Sequence, residues 1–131
     1  MEPAKTRSTP VWRGIDHVQV AIPPGGEPLA RSFYVDVLGF IEVPKPPALA
    51  ARGGAWFEAG DTRLHVGVEA EFSPATKAHP ALLIEGLEAF VRDAGLDVRW
   101  SDEIPGTVRC HIDDPFGNRI ELIDHAGESA S

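Results

Sequence analysis

The sequence predicts an α+β fold built from two βαβββ modules that share a cleft, and two observations carry this reading. First, the chain repeats itself. His17-Val18-Gln19-Val20-Ala21-Ile22 and His79-Pro80-Ala81-Leu82-Leu83-Ile84 both open on a histidine, and Arg63-Leu64-His65 has a counterpart in Arg119-Ile120-Glu121. Second, each copy carries a helix-like segment ended by a glycine, Gly39 in the first and Gly95 in the second. In a chain of 131 residues such a repeat describes small modules with one common core, because neither half alone buries enough apolar surface.

The elements follow in order. Over residues 15–22, Val18, Val20 and Ile22 form one side and His17, Gln19 and Ala21 the other, the period of two expected of a strand with unlike faces. Pro23-Pro24-Gly25-Gly26 stops it. Over residues 27–38 an apolar stripe of Leu29, Phe33, Tyr34, Val37 and Leu38, with Pro28 in the first turn and Gly39 as cap, predicts an amphipathic helix. A strand is expected at 40–43, closed by Pro44-Lys45-Pro46-Pro47, then a loop of small residues to Gly54. Residues 55–59 and 62–69 read as a hairpin around Gly60-Asp61. After a connector at 70–78, the second copy offers a strand at 79–84 and a helix at 87–94. Strands at 97–100, 107–112 and 119–124 follow, the last two joined by the turn-forming residues from Asp113 to Asn118. The expected organisation is a flexible start (1–12), one domain (13–126, with modules at about 13–70 and 77–126) and a flexible tail (127–131).

An apolar share of 43% and a charged share of 24% fit a globular protein. Twelve basic against 20 acidic residues give a net charge of −8, which disfavours nucleic acid as a partner because phosphate contacts need a dense basic face. Cys110 is the only cysteine, so no intrachain disulfide forms, and neither a signal peptide nor a membrane-spanning run is legible; a cytoplasmic location is expected.

Histidines 17, 65 and 79 and Glu121 all fall on the side of their strands away from the Val/Leu/Ile stripe. Imidazole and carboxylate donors converging from rigid strands suit a divalent Fe, Zn, Mn, Ni or Co ion. Glu121, set between Ile120 and Leu122, needs either a cation ligand or an arginine partner such as Arg63, Arg109 or Arg119, since a buried carboxylate is costly alone. His111 and His125 read as solvated or hydrogen-bonded imidazoles.

The segments Ile15 to Ile22, Phe33 to Phe40 and Asp113 to Leu122 resemble the vicinal oxygen chelate superfamily, which includes glyoxalases, bleomycin-resistance proteins and extradiol dioxygenases. The resemblance spans about residues 14–125. It implies a glyoxalase-like pair of curved, mixed sheets around a divalent metal that chelates neighbouring oxygens of a small substrate. By position it places metal ligands at His17, His79 and Glu121, and at His65 a fourth ligand or a general base, so that His65 and Glu121 are the catalytic candidates. Lyases of the glyoxalase I type commonly carry glutamate where this chain has His65, which argues against that activity. Lyase, isomerase and dioxygenase chemistry all remain open, with thiol transfer to an antibiotic epoxide less supported by the chain's end. Gln19, Trp56 and Arg109 are the candidate substrate contacts, Arg109 alternatively pairing with Asp113 or Glu103. A homodimer is implied as well. The alternative is a metal-free protein of the bleomycin-resistance type that sequesters an aromatic or cationic drug against Trp56, Phe57, Trp100 or Phe116; a third is a relative that uses the fold for partner contacts alone.

Overall fold

The alternation that begins at Val18 folds as read: Val20 and Ile22 enter the core while Gln19 stays exposed. The computed structural model describes residues 8–125; the expectations for 1–7 and for the tail at 127–131 lie outside the described residues. Residues 8–12 carry no regular structure and are exposed.

Strand β1 (Val18–Ile22) runs parallel to β4 (Thr62–Val68), which pairs antiparallel with β3 (Ala55–Ala59), and β3 pairs antiparallel with β2 (Ile41–Val43). The order β1-β4-β3-β2 recurs in the second module. There β5 (Ala81–Ile84) lies parallel to β8 (Arg119–Asp124), followed by β7 (Arg109–Asp113) and β6 (Arg99–Ser101). The registers repeat too. Gln19 and Trp56 flank His65, and Ala81 and His111 flank Glu121. The first strand of each module begins two to three residues later than expected, at Val18 and Ala81, so His17 and His79 stand just before the strands rather than within them.

Helix α1 (Glu27–Arg31) covers the first part of the expected helix, and Ser32–Val37 continues it in wider π-helical turns, with the Leu38 N–H reaching the Phe33 carbonyl at 2.9 Å. Where a loop was expected, α2 (Pro47–Ala50) forms; Pro47 is preset for a first turn and Ala48, Leu49 and Ala50 favour helix. Helix α3 (Leu87–Ala94) matches its expected bounds and ends at Gly95, φ 64°, in the left-handed region that glycine occupies freely. Strands β6 and β7 sit about two residues later than read. No described helix is long and apolar enough to cross a membrane.

One apolar cluster joins the modules: Ile22, Tyr34, Phe57 and Leu64 from the first meet Leu87, Ile112 and Ile120 from the second. A polar clamp accompanies it. Asp114, 4% exposed, accepts from the Phe116 and Asn118 N–H groups, from Asn118 Nδ2 and from the Tyr34 hydroxyl at 2.9 Å. Asn118, 1% exposed, donates to the Ala21 carbonyl at 2.8 Å and accepts from the Ala75 N–H at 3.0 Å. The turn between β7 and β8 is thereby tied to β1, to the first helical segment and to the connector. Burial and the neighbouring carboxylate push the Tyr34 phenol far above its usual range, so it stays a neutral donor.

Loss of this clamp leaves buried polar groups without partners, which costs more than the hydrogen bonds themselves. Asp114→Ala and Asn118→Ala are each expected to lower unfolding free energy by about 2–4 kcal/mol, and Tyr34→Phe by about 1–2 kcal/mol, as read from urea titrations.

Candidate functional site

Ring stacking and strand register build a cleft on the first module. Trp56 and His65 are opposite each other on β3 and β4, and their rings stack at 4.2 Å with planes 5° apart. His17 covers the other face of His65 at 4.1 Å. His65 thus lies in the middle of a three-ring stack, and burial together with the nearby His17 holds its imidazole below the ordinary range, favouring the neutral form. His17 is oriented through Nδ1, which lies 2.9 Å from Asp16 Oδ2, while Arg63 holds Asp16 Oδ1 at 3.0 Å. The carboxylate can only accept, so Nδ1 is committed to it and Nε2 is the nitrogen left for another partner.

Gln19 lies along the same cleft, against Gly67; a methyl group at Gly67 would sit 2.7 Å from its amide nitrogen. The cleft measures about 500 Å³, and every lining residue comes from the first module. Next to the lining residue Gly53, Gly54 has φ 82°, and a side chain there would collide with the Val66 carbonyl oxygen.

The second module assembles a separate donor cluster. His79, His111 and Glu121 each offer an atom within 4.8 Å of the others, the one such group of three found among the described residues. His79 Nε2 is 2.9 Å from Glu121 Oε1, and His111 Nε2 is 3.7 Å from that same oxygen. The other nitrogen of His79, Nδ1, lies 2.8 Å from the Lys77 carbonyl, which can only accept. Glu121 Oε2 is held by Arg109 Nη1 at 2.9 Å. Burial disfavours the charge of Glu121, but hydrogen bonds from His79 and Arg109 outweigh it and keep the carboxyl below its ordinary range. Burial lowers His111 as well, with Glu121 opposing.

This donor set fits a divalent ion. Two imidazole nitrogens and one carboxylate oxygen face one another from three sheet positions, and the Lys77 carbonyl orients the first imidazole in the way outer partners of metal-bound histidines do. Both nitrogens of His79 point at acceptors, so Nε2 and Oε1 need a cation between them, whether a proton or a metal.

His17 and His65 lie together in the first-module cleft, outside the cluster that contains His79 and Glu121. Trp56 and Gln19 join the first group. Arg109, expected to be available over the cleft or paired with Asp113 or Glu103, is engaged with Glu121, while Asp113 is taken by Arg99. Its Nε atom is enclosed without a protein partner. His111 is the residue that the sequence reading passed over as a solvated imidazole. Its signal lay in the hairpin: pairing Asp113 with Arg119 across the turn puts residue 111 directly opposite 121.

No family model matches the chain, and no curated protein matches it. Solved structures do. A glyoxalase family protein from Bacillus anthracis shares 42% identity over 89% of this chain and 98% of its own, with a TM-score of 0.86. The chain belongs to the glyoxalase family. Two more distant structures share the fold: a lactoylglutathione lyase from Agrobacterium tumefaciens (17% identity, TM-score 0.61, 82% of this chain and 92% of its own) and a genomically encoded fosfomycin resistance protein from Listeria monocytogenes (12%, 0.64, 92% and 100%). All three are members of the vicinal oxygen chelate superfamily, which is thereby also the superfamily of this glyoxalase family chain.

A depressed carboxyl pKa means that the unfolded chain takes up the proton first. The contribution of Glu121 is therefore complete above the ordinary value of 4.5 and fades as pH falls through its lowered folded value. Metal-free wild-type protein is expected to exceed Glu121→Gln in stability at pH 7, with the gap closing in acid, as measured by urea unfolding across pH.

Proposed function

We propose that this protein is a metal-dependent enzyme of the vicinal oxygen chelate type, holding neighbouring oxygens of a small substrate at a divalent ion bound by His79, His111 and Glu121. The observation that carries the reading is the convergence of two imidazole nitrogens on Glu121 Oε1 while His79 Nδ1 is already committed to Lys77. When bound, the ion supplies Lewis-acid polarisation of the substrate oxygens. Arg109 fixes Oε2, so that Oε1, facing the two imidazoles, is the oxygen that would hold the ion. Lyase, isomerase and dioxygenase chemistry are all compatible with this arrangement.

His17 and His65 occupy the register positions equivalent to His79 and Glu121, and we assign them the complementary half of the site. In a homodimer, the first-module cleft of one copy would face the donor cluster of the other. There His17 Nε2 would act as a further donor, and the neutral His65 would take a substrate proton at its ring edge, the one part left uncovered by the flanking rings. Trp12, 88% exposed, Ile15, 82%, and Leu83, 63%, provide apolar surface that association would cover. With its one cysteine fully buried, the protein suits a reducing compartment, and we assign it to the cytoplasm.

The stacked rings of Trp56, His65 and His17 favour one second reading, a protein that sequesters an aromatic ligand without metal. Elemental analysis of protein purified without added metal separates the two. About one ion per chain is expected in the wild type, lost in His79→Ala and Glu121→Ala, with affinity reduced by about tenfold or more in His17→Ala. Unchanged metal content in Glu121→Ala would overturn the ligand assignment, and tight ligand binding independent of metal would favour sequestration.

A further inference from the structure

Charges in the first-module cleft are unevenly compensated. Arg63 is matched by Asp16 at 3.0 Å and Glu58 at 3.9 Å. The loop from β2 to β3 adds Lys45 and Arg52 to the lining, and neither has a carboxylate within ion-pair distance among the described residues. Glu27 lies outside the lining, where its Oε2 accepts from the Gly54 N–H at 2.8 Å and its charge acts on Lys45 from behind the loop, which leaves Arg52 as the cation with no acid near it in the cleft among the described residues. The lining sets three cations, Lys45, Arg52 and Arg63, against the two carboxylates of Asp16 and Glu58, so in a chain of net charge −8 this concave site runs against the overall balance.

The loop is also fixed in place. Lys45 donates to the Gly53 carbonyl, Gly54 packs against the Val66 backbone, and Glu27 anchors the Gly54 N–H. Lys45 and Arg52 are thereby carried by a braced segment, beside Leu49 and the partly exposed ring of Trp56.

We infer that this cleft binds an organic oxyanion, a small acid whose carboxylate or phosphate is clamped by Arg52 and Lys45 while its planar or apolar body lies along Trp56 toward His65. Guanidinium and ammonium groups suit such oxygens, the first in a planar fork and the second as a point charge. The inference deepens the proposed function and rests on its reading of this cleft as the place where substrate enters. Metal is not needed for the clamp itself, so the two can fail separately.

The test is calorimetric titration of chelator-treated protein with benzoate, phenyl phosphate and benzyl alcohol at low ionic strength. At least one oxyanion is expected to bind about tenfold more tightly than the alcohol, an advantage reduced by salt and lost in Arg52→Ala and Lys45→Ala. Arg92→Ala, on the exposed side of α3, should leave it unchanged, and thermal melts confirm that each variant is folded. Tighter binding of phenyl phosphate assigns the clamp to phosphate-bearing substrates, and of benzoate to carboxylates. No measurable oxyanion binding, equal affinity for benzyl alcohol, or affinity indifferent to both substitutions would overturn the proposal. Wild-type protein that carries no metal before chelator treatment and takes up none when a divalent ion is added, with the oxyanion preference intact, would instead count against the metal reading alone.

Discussion

Asp114 and Asn118 form the contact on which the rest of the molecule depends. A carboxylate removed from water is tolerated only when its oxygens are fully engaged, and each oxygen of Asp114 accepts two hydrogen bonds, one set closing its own turn and the other reaching Tyr34 and Asn118. Asn118 extends the same network to the Ala21 carbonyl and the Ala75 N–H. By fixing the turn, the pair sets the β7–β8 register and with it the placing of His111 opposite Glu121. By gripping Ala21, it locates the strand that begins beside His17. The signature residues that reveal the family are thus structural, and they govern the chemistry through position.

The two halves share a plan and differ in charge. Each opens on a histidine whose Nδ1 is directed at an oxygen, the Asp16 carboxylate in one and the Lys77 carbonyl in the other, which leaves Nε2 for other partners, in the second half Glu121 Oε1. At the equivalent place on the last strand, the first half carries His65 and the second Glu121. Burial acts on both in the direction of neutrality, and it prevails at the histidine, whereas Arg109 and His79 keep the glutamate ionised. A neutral imidazole and an anionic carboxylate emerge from one duplicated geometry because their immediate partners differ.

Much of this was legible in the residues. The period-two alternation around Val20 and the duplicated histidine openings gave the modules, and Gly95 marked the end of α3 because a left-handed cap suits glycine. Strand starts were read too early at residues 15 and 79, since side-chain alternation continues beyond the last paired backbone group. The π-helical turns over Ser32–Val37 left no periodic signal distinct from that of an α-helix. Helix α2 was hidden by its prolines, which read as loop punctuation although one of them opens a helix. For the candidate site, residue types pointed to His17, His65, His79 and Glu121 and passed over His111, and the division of the four into two groups depends on how the sheets sit in space. The partner of Arg109 could not be chosen among several nearby acids without the strand register.

The stacking of His65 between Trp56 and His17 sets the direction from which that residue can be approached. With both faces of the ring covered, its nitrogens are reachable only in the plane of the imidazole, through a thin wedge between the flanking rings. Tilting the ring would break two stacks at once. Any group that is to exchange a proton or share a lone pair with His65 must arrive edge-on, so the aromatic neighbours act as a stereochemical filter on what the cleft can present to its central imidazole.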